Sequence, residues 1–214
     1  MKIIHTKWQN LLLEVKVFNI EEFDIKLDTE FIGRNFIYVD EVDSTNTLLL
    51  NSKEFSQNGT VVLAEHQTKG RGRKNREWYS NSGQNLTFSI LLNENINNKL
   101  INIMSLGSAV VVAQTIENLF QLNMEVKWPN DVLINKKKVC GILSESTSRG
   151  SAINKIVVGI GLNVNQPNFP GKFEIAPTSI RKEFKEEVSR ERILSELLNN
   201  FEEMFFEAIE KPEK

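Results

Sequence analysis

Forty residues, from Glu125 to Val164, hold four strand-like runs: Glu125 to Trp128, Val132 to Ile134, Val139 to Glu145 and Ile153 to Val164. They are joined by short turns, one of them Asn135 followed by three lysines, and parallel neighbours need a crossover of roughly a dozen residues. This stretch is therefore confined to a largely antiparallel arrangement. Upstream, Phe36-Ile37-Tyr38-Val39 and Thr60 to Ala64 read as strands, and so does the apolar run Leu86 to Leu92. Phe23, Ile25 and Leu27 alternate with charged neighbours, which predicts a further half-buried strand.

The helices are segregated from this strand-rich region. Asp43-Ser44-Thr45-Asn46 supplies N-cap residue types ahead of Leu48, Leu49 and Leu50, and Asn58-Gly59 is the expected end of that helix. Leu100 to Leu122 is apolar almost all round, which predicts a helix buried on most faces; Ser105, Gln114, Glu117 and Asn118 interrupt it too often for a membrane span. Arg190 to Ile209 is amphipathic through Ile193, Leu197, Leu198, Phe201, Met204 and Phe205. The pattern predicts an α+β fold with a mixed, largely antiparallel sheet packed with helices. At 214 residues the chain is long enough for a full core.

Charge and cysteine usage remove several function classes. The net charge of −2 argues against general electrostatic binding to nucleic acid. Cys140 stands alone, so there is no internal disulfide, and with His5 and His66 it cannot complete a zinc cage. The opening MKIIHTKWQN lacks the apolar run that a signal peptide needs, so a reducing cytoplasm is the expected compartment, with no membrane contact expected.

Four segments carry candidate chemistry. Between His66 and Trp78 five basic side chains (Lys69, Arg71, Arg73, Lys74, Arg76) face one acidic one (Glu77), a local charge of +4 inside the long polar break from Gln67 to Gln84. Glycines at 70 and 72 allow close backbone approach, and arginine forks match phosphate or carboxylate oxygens. A solvated basic loop, or a nucleic-acid loop with Trp78 and Tyr79 stacking on bases, fits the same residues. The spacing is not that of a P-loop. Lys127-Trp128-Pro129-Asn130-Asp131 is either a plain turn or a strand edge presenting two polar side chains. In Lys138-Val139-Cys140-Gly141, alternation places Lys138 and Cys140 on one face, with Cys140 better read as a small buried hydrophobe than as a nucleophile. Gly159-Ile160-Gly161-Leu162-Asn163 could let a flat ring lie on backbone while Asn163 hydrogen-bonds it.

Taken in order, Asp-Ser-Thr-Asn, Gln67 to GRGRKNREW, KWPND, KVCGIL and GIGLNVN resemble the catalytic domain of the biotin–protein ligases over roughly Tyr38 to Ser179. The resemblance implies a fold related to class II aminoacyl-tRNA synthetases and a single ligase-type catalytic domain over residues 1–214. It also implies ATP, Mg²⁺ and biotin as substrates and cofactors, with biotinyl-5′-AMP as intermediate. The acceptor would be one lysine of a biotin carboxyl carrier domain, of acetyl-CoA carboxylase or a related biotin enzyme. Ser44, Thr45 and Asn46, with Gln67, correspond to the biotin floor, and Gly70 and Gly141 to backbone contacts with its ring. Arg73 would hold the adenylate phosphate, assisted by Arg71 and Arg76, with Trp78 under the closed loop. Lys138 corresponds to the family's essential lysine, Asn130 to a nucleotide contact, Asp131 to a group beside the incoming amine, and Asn163 to the adenine contact. Neither a winged helix at the front nor more than a trace of the small C-terminal β-barrel is expected, which implies a ligase without repressor function. A homodimer is possible through an exposed sheet edge. Lipoate–protein ligases, octanoyl transferases with a cysteine or lysine nucleophile, and a nucleic-acid-binding module are the competing readings.

Overall fold

The computed structural model describes residues 2–4, 17–94, 96–97, 99–150 and 152–210. Its centre is a mixed sheet of eight strands: β1 (Lys2–Ile4), β2 (Phe36–Val42), β3 (Val61–Gln67), β4 (Leu86–Leu92), β5 (Met124–Lys127), β6 (Asp131–Ile134), β7 (Lys137–Arg149) and β8 (Ala152–Leu162), in the order β1-β2-β3-β4-β8-β7-β6-β5. The pairs β1–β2 and β2–β3 are parallel and the other five are antiparallel. The meander from β5 to β8 follows from its short links. Asn135 and Lys136 at the β6–β7 turn both take positive φ, the handedness that matches strand twist in a tight hairpin.

Helices cover both faces. α1 (Ile20–Lys26), α3 (Leu100–Phe120) and α5 (Arg190–Glu210) share the larger core with side chains such as Phe36, Phe88 and Ile160. α2 (Thr45–Asn51) closes the smaller core over Ile37, Val62 and Leu91, and α4 (Ile180–Phe184) precedes α5. Glu65 on β3 and Arg190 on α5 meet at 2.8 Å inside the larger core, 6% and 3% exposed.

Three local expectations fail for identifiable reasons. Phe23, Ile25 and Leu27 lie on or beside α1 and not on a strand: Asn19 caps the helix by accepting from the Glu22 N–H, and Glu21, Glu22 and Lys26 suit its dipole. Phe23 and Leu27, four apart, face the core, while Ile25 is 84% exposed. The helix begun by Ser44 ends at Asn51 rather than at Asn58-Gly59; the Ser52 N–H still bonds the Leu48 carbonyl, and Gly59 instead makes a left-handed bend before β3. α3 is apolar all round but only half buried. It is long and apolar enough to span a membrane by composition alone, yet one face lies on β5 to β8 and on α5, leaving Leu106 and Val110 partly exposed.

Candidate active site

One cavity of about 900 Å³ opens at the end of the sheet where the N-terminus of α2, the β3–β4 loop and the β5–β6 turn converge. That volume suits a ligand of drug size or somewhat larger. Its lining draws on the helix-capping residues Ser44, Thr45 and Asn46 and on all four chemistry-bearing segments: Gln67, Arg71, Arg73, Arg76 and Trp78; Asn130 and Asp131; Lys138 and Gly141; and Asn163. Folding thus unites these motif residues across 119 positions, the span from Ser44 to Asn163. Residues 169–175 form one further wall, a Pro- and Gly-containing stretch to which sequence reading gave no role.

The floor is hydrogen-bonded. Ser44 caps α2, its hydroxyl facing the Thr47 N–H. Gln67 Oε1 accepts from the Thr45 N–H at 2.8 Å and lies 3.1 Å from its hydroxyl. Ser89, wholly buried on β4, lies 2.6 Å from both Thr45 Oγ1 and Asn46 Oδ1. An amide oxygen only accepts, so the Ser89 proton goes to Asn46.

The arginine segment is a small hairpin. Gly72 N–H donates to Arg76 O at 2.6 Å and Trp78 N–H to Gly70 O at 3.0 Å, with a 3₁₀ turn at Arg73–Asn75 between them. Gly70 does not line the cavity; a Cβ there would lie 2.4 Å from the Trp78 carbonyl oxygen, so glycine is needed for the hairpin's closure. Arg73 Nη1 donates to Asn130 Oδ1 at 3.3 Å, and Asn130 Nδ2 in turn donates to Ile142 O at 2.6 Å. Arg76 pairs with Glu174 at 2.6 Å, but both are exposed and the pair adds little stability.

The glycines of β7 and β8 have an occupant. Gly141 and Gly161 are cross-strand partners, and the Trp78 indole lies over them: a Cβ on Gly161 would meet Trp78 Cε2 at 2.2 Å, and one on Gly141 would meet Cζ3 at 3.2 Å. The flat ring expected on this backbone is thus the chain's own. Gly159 makes room for Asn46 in the same way. Trp78 Nε1 and Asn163 Oδ1 are buried without partners among the described residues, a donor and an acceptor left for a ligand. Replacing Gly161 by Val is expected to expel the indole and shift its fluorescence to the red. Subtracting the spectra of matching Trp78→Phe variants isolates that signal, and an unshifted difference spectrum would show that Trp78 does not rest there.

Lys138 and Cys140 do not share a face. The β6–β7 register skips Val139, pairing Leu133 with Lys138 and Val132 with Cys140, so a β-bulge rotates the strand between them. Lys138 consequently enters the cavity beside Gly141, its Nζ 2.6 Å from Asp131 Oδ1 and 5.8 Å from the Trp78 ring centroid. Cys140 turns into the core at 0% exposure, where burial pushes its thiol far above the ordinary range. Such a thiol is a poor nucleophile. In the native protein Cys140 should resist an aromatic disulfide reagent until denaturant unfolds the chain; prompt labelling without denaturant would contradict its placement.

The profile of the biotin/lipoate A/B protein ligase family matches residues 38–163, the stretch that supplies most of this cavity. The bifunctional ligase/repressor BirA of Bacillus subtilis is 33% identical over 211 residues, covering 96% of this chain and 64% of the relative's length. The biotin–[acetyl-CoA-carboxylase] ligase of Paracoccus denitrificans is 32% identical over 164 residues, 74% of this chain and 68% of that one. A structure of the Aquifex aeolicus biotin protein ligase in complex with biotin and ATP superposes with a TM-score of 0.73 at 35% identity, covering 83% of this chain and 73% of the other. Motif order, fold and the matched span agree: the chain belongs to the biotin/lipoate A/B protein ligase family.

Proposed function

We propose that this protein is an ATP-dependent biotin–protein ligase that works through biotinyl-5′-AMP, in a cytoplasmic setting. The observation that carries the reading is the convergence of Lys138 and Arg73 on one cavity that also holds the unpartnered Asn163 Oδ1 and Trp78 Nε1. Anion-stabilising groups beside an orphaned polar pair suit a ligand with a charged centre and a polar ring. The reading covers the ligase half of the Bacillus relative's name; repressor function is not part of it.

In the first half-reaction a biotin carboxylate oxygen attacks the α-phosphorus of ATP and pyrophosphate leaves, giving the mixed anhydride. Lys138, held by Asp131, would neutralise charge building on the α-phosphoryl oxygens, and Arg73 would hold the same phosphate from the loop side. Mg²⁺ would enter with the nucleotide as part of the substrate: among the described residues no three acidic, histidine or cysteine side chains form a metal cluster. In the second half-reaction the acceptor lysine's amine attacks the biotinyl carbonyl, AMP leaves and the amine loses a proton. Asp131 would orient that amine once Lys138 turns to the phosphate. The acceptor in this reading is a biotin carboxyl carrier domain.

The test is biotin-dependent exchange of labelled pyrophosphate into ATP, with lipoate and octanoate in parallel. Exchange with biotin alone is expected. Exchange with lipoate alone would keep the adenylation chemistry and reassign the acid, whereas absence of exchange with all three would remove the ligase reading.

A further inference from the structure

No motif singled out Glu145, and it does not line the cavity, yet it joins two residues that do. Its carboxylate accepts from Asn46 Nδ2 at 2.8 Å and from Arg71 Nη2 at 3.1 and 3.2 Å. Asn46 is nearly buried in the floor, fixed also by Leu143 O at 3.0 Å and by the Ser89 hydroxyl. Arg71 is the first arginine of the hairpin, and Thr47 Oγ1 accepts from the same Nη2 at 3.0 Å. Among the described residues all three contacts fall on that one nitrogen, which leaves Nε and Nη1 for a ligand.

We propose that Glu145 is a positioning residue that latches the arginine hairpin to the cavity floor. A loop tethered only by backbone turns would lose conformational entropy each time it ordered over a ligand. Here the carboxylate holds Arg71 in place beforehand, and with it the mouth of the hairpin that carries Arg73 and Trp78. Oε2 accepts from both donors and Oε1 from Arg71 again, so in Glu145→Gln the amide oxygen can keep Asn46, but the guanidinium loses the carboxylate's charge and its second oxygen, where an NH₂ group now faces Nη2. The shape is conserved and the latch is weakened. The functional half of this proposal rests on the ligase reading; the structural half does not.

Two measurements on the full chain separate them. In the ligand-free protein, Glu145→Gln should speed hydrogen exchange at the Gly72 and Trp78 amides roughly tenfold, while amides of β4 and α5 keep their protection. In the ligase assay, the same variant should release preformed biotinyl-5′-AMP into solvent roughly tenfold faster than wild type, and Arg71→Ala should add less than about threefold in that background, because residues acting as one unit are non-additive. Unchanged hairpin exchange would overturn the latch. Faster exchange with wild-type retention of the adenylate, or with additive losses, would overturn its functional role. A wild-type protein that forms no adenylate would overturn the ligase reading and the latch's catalytic use with it, leaving the exchange result to decide the anchoring alone.

Discussion

Lys138→Ala is expected to reduce biotin-dependent pyrophosphate exchange by roughly 10²–10³-fold or more, the range for deleting one preorganised group that faces developing negative charge. The geometry supports a loss on that scale. Lys138 is the cation that β7 delivers into the cavity beside Gly141, and Asp131 at 2.6 Å fixes its ammonium. Most of the loss should appear in kcat, since the interaction strengthens as charge moves onto the phosphoryl oxygens. Lys138→Arg should recover little: a planar fork in place of a compact ammonium would not fit between Asp131 and the Trp78 ring. Circular dichroism would establish that the alanine variant is folded, and a folded variant with exchange within about tenfold of wild type would remove the role given to this lysine.

The second large effect concerns stability. Arg190→Met should destabilise the protein by about 3–5 kcal/mol, because it leaves Glu65 as an uncompensated charge in the core. Glu65 is saturated: Tyr38 OH at 2.7 Å, Gly83 N–H at 2.7 Å and two Arg190 nitrogens at 2.8 and 3.0 Å all donate to it. Burial and the adjacent Glu65 charge push the Tyr38 phenol well up, so it stays protonated and donating at neutral pH. The arrangement ties α5 to β2, β3 and the loop before β4. Against a typical total of about 5–15 kcal/mol, the loss would be plain in the urea midpoint. Removing both charges in Glu65→Gln with Arg190→Met should recover a large part of it, since the cost lies in the orphaned ion more than in the missing contact. A single variant within about 1 kcal/mol of wild type would mean that water or relaxation solvates Glu65.

The meander from β5 to β8 was legible in the sequence because its links are too short for anything but hairpins, and Asn135-Lys136 makes the turn anticipated there. Of the fourteen residues given a place in the site, thirteen are in the cavity wall and the other, Gly70, holds its hairpin closed by one backbone contact; motif order was enough for that. Other features were not legible. Alternation put Lys138 beside Cys140, and only the bulge at Val139, which depends on how β6 meets β7, sends one to the cavity and the other to the core. A strand pattern read for Phe23 to Leu27 lost to a side-chain cap at Asn19. Ser89 left one weak trace, a polar residue in a largely apolar strand, and Glu145, in the polar half of β7, left none, because their partners Asn46 and Arg71 are 43 and 74 positions away.

What the sequence determined by itself was therefore local and ordinal: the hairpins, the helical faces, the basic segment and the order of motifs that marks the family. The tertiary structure decided which ring lies on Gly161, which face Lys138 takes, and which carboxylate holds Arg71. The physical reason is the range of the forces involved. Turn and periodicity preferences act over a few residues and can be read from a line of letters, whereas a buried hydrogen bond or a close backbone approach is defined only when distant segments meet in three dimensions.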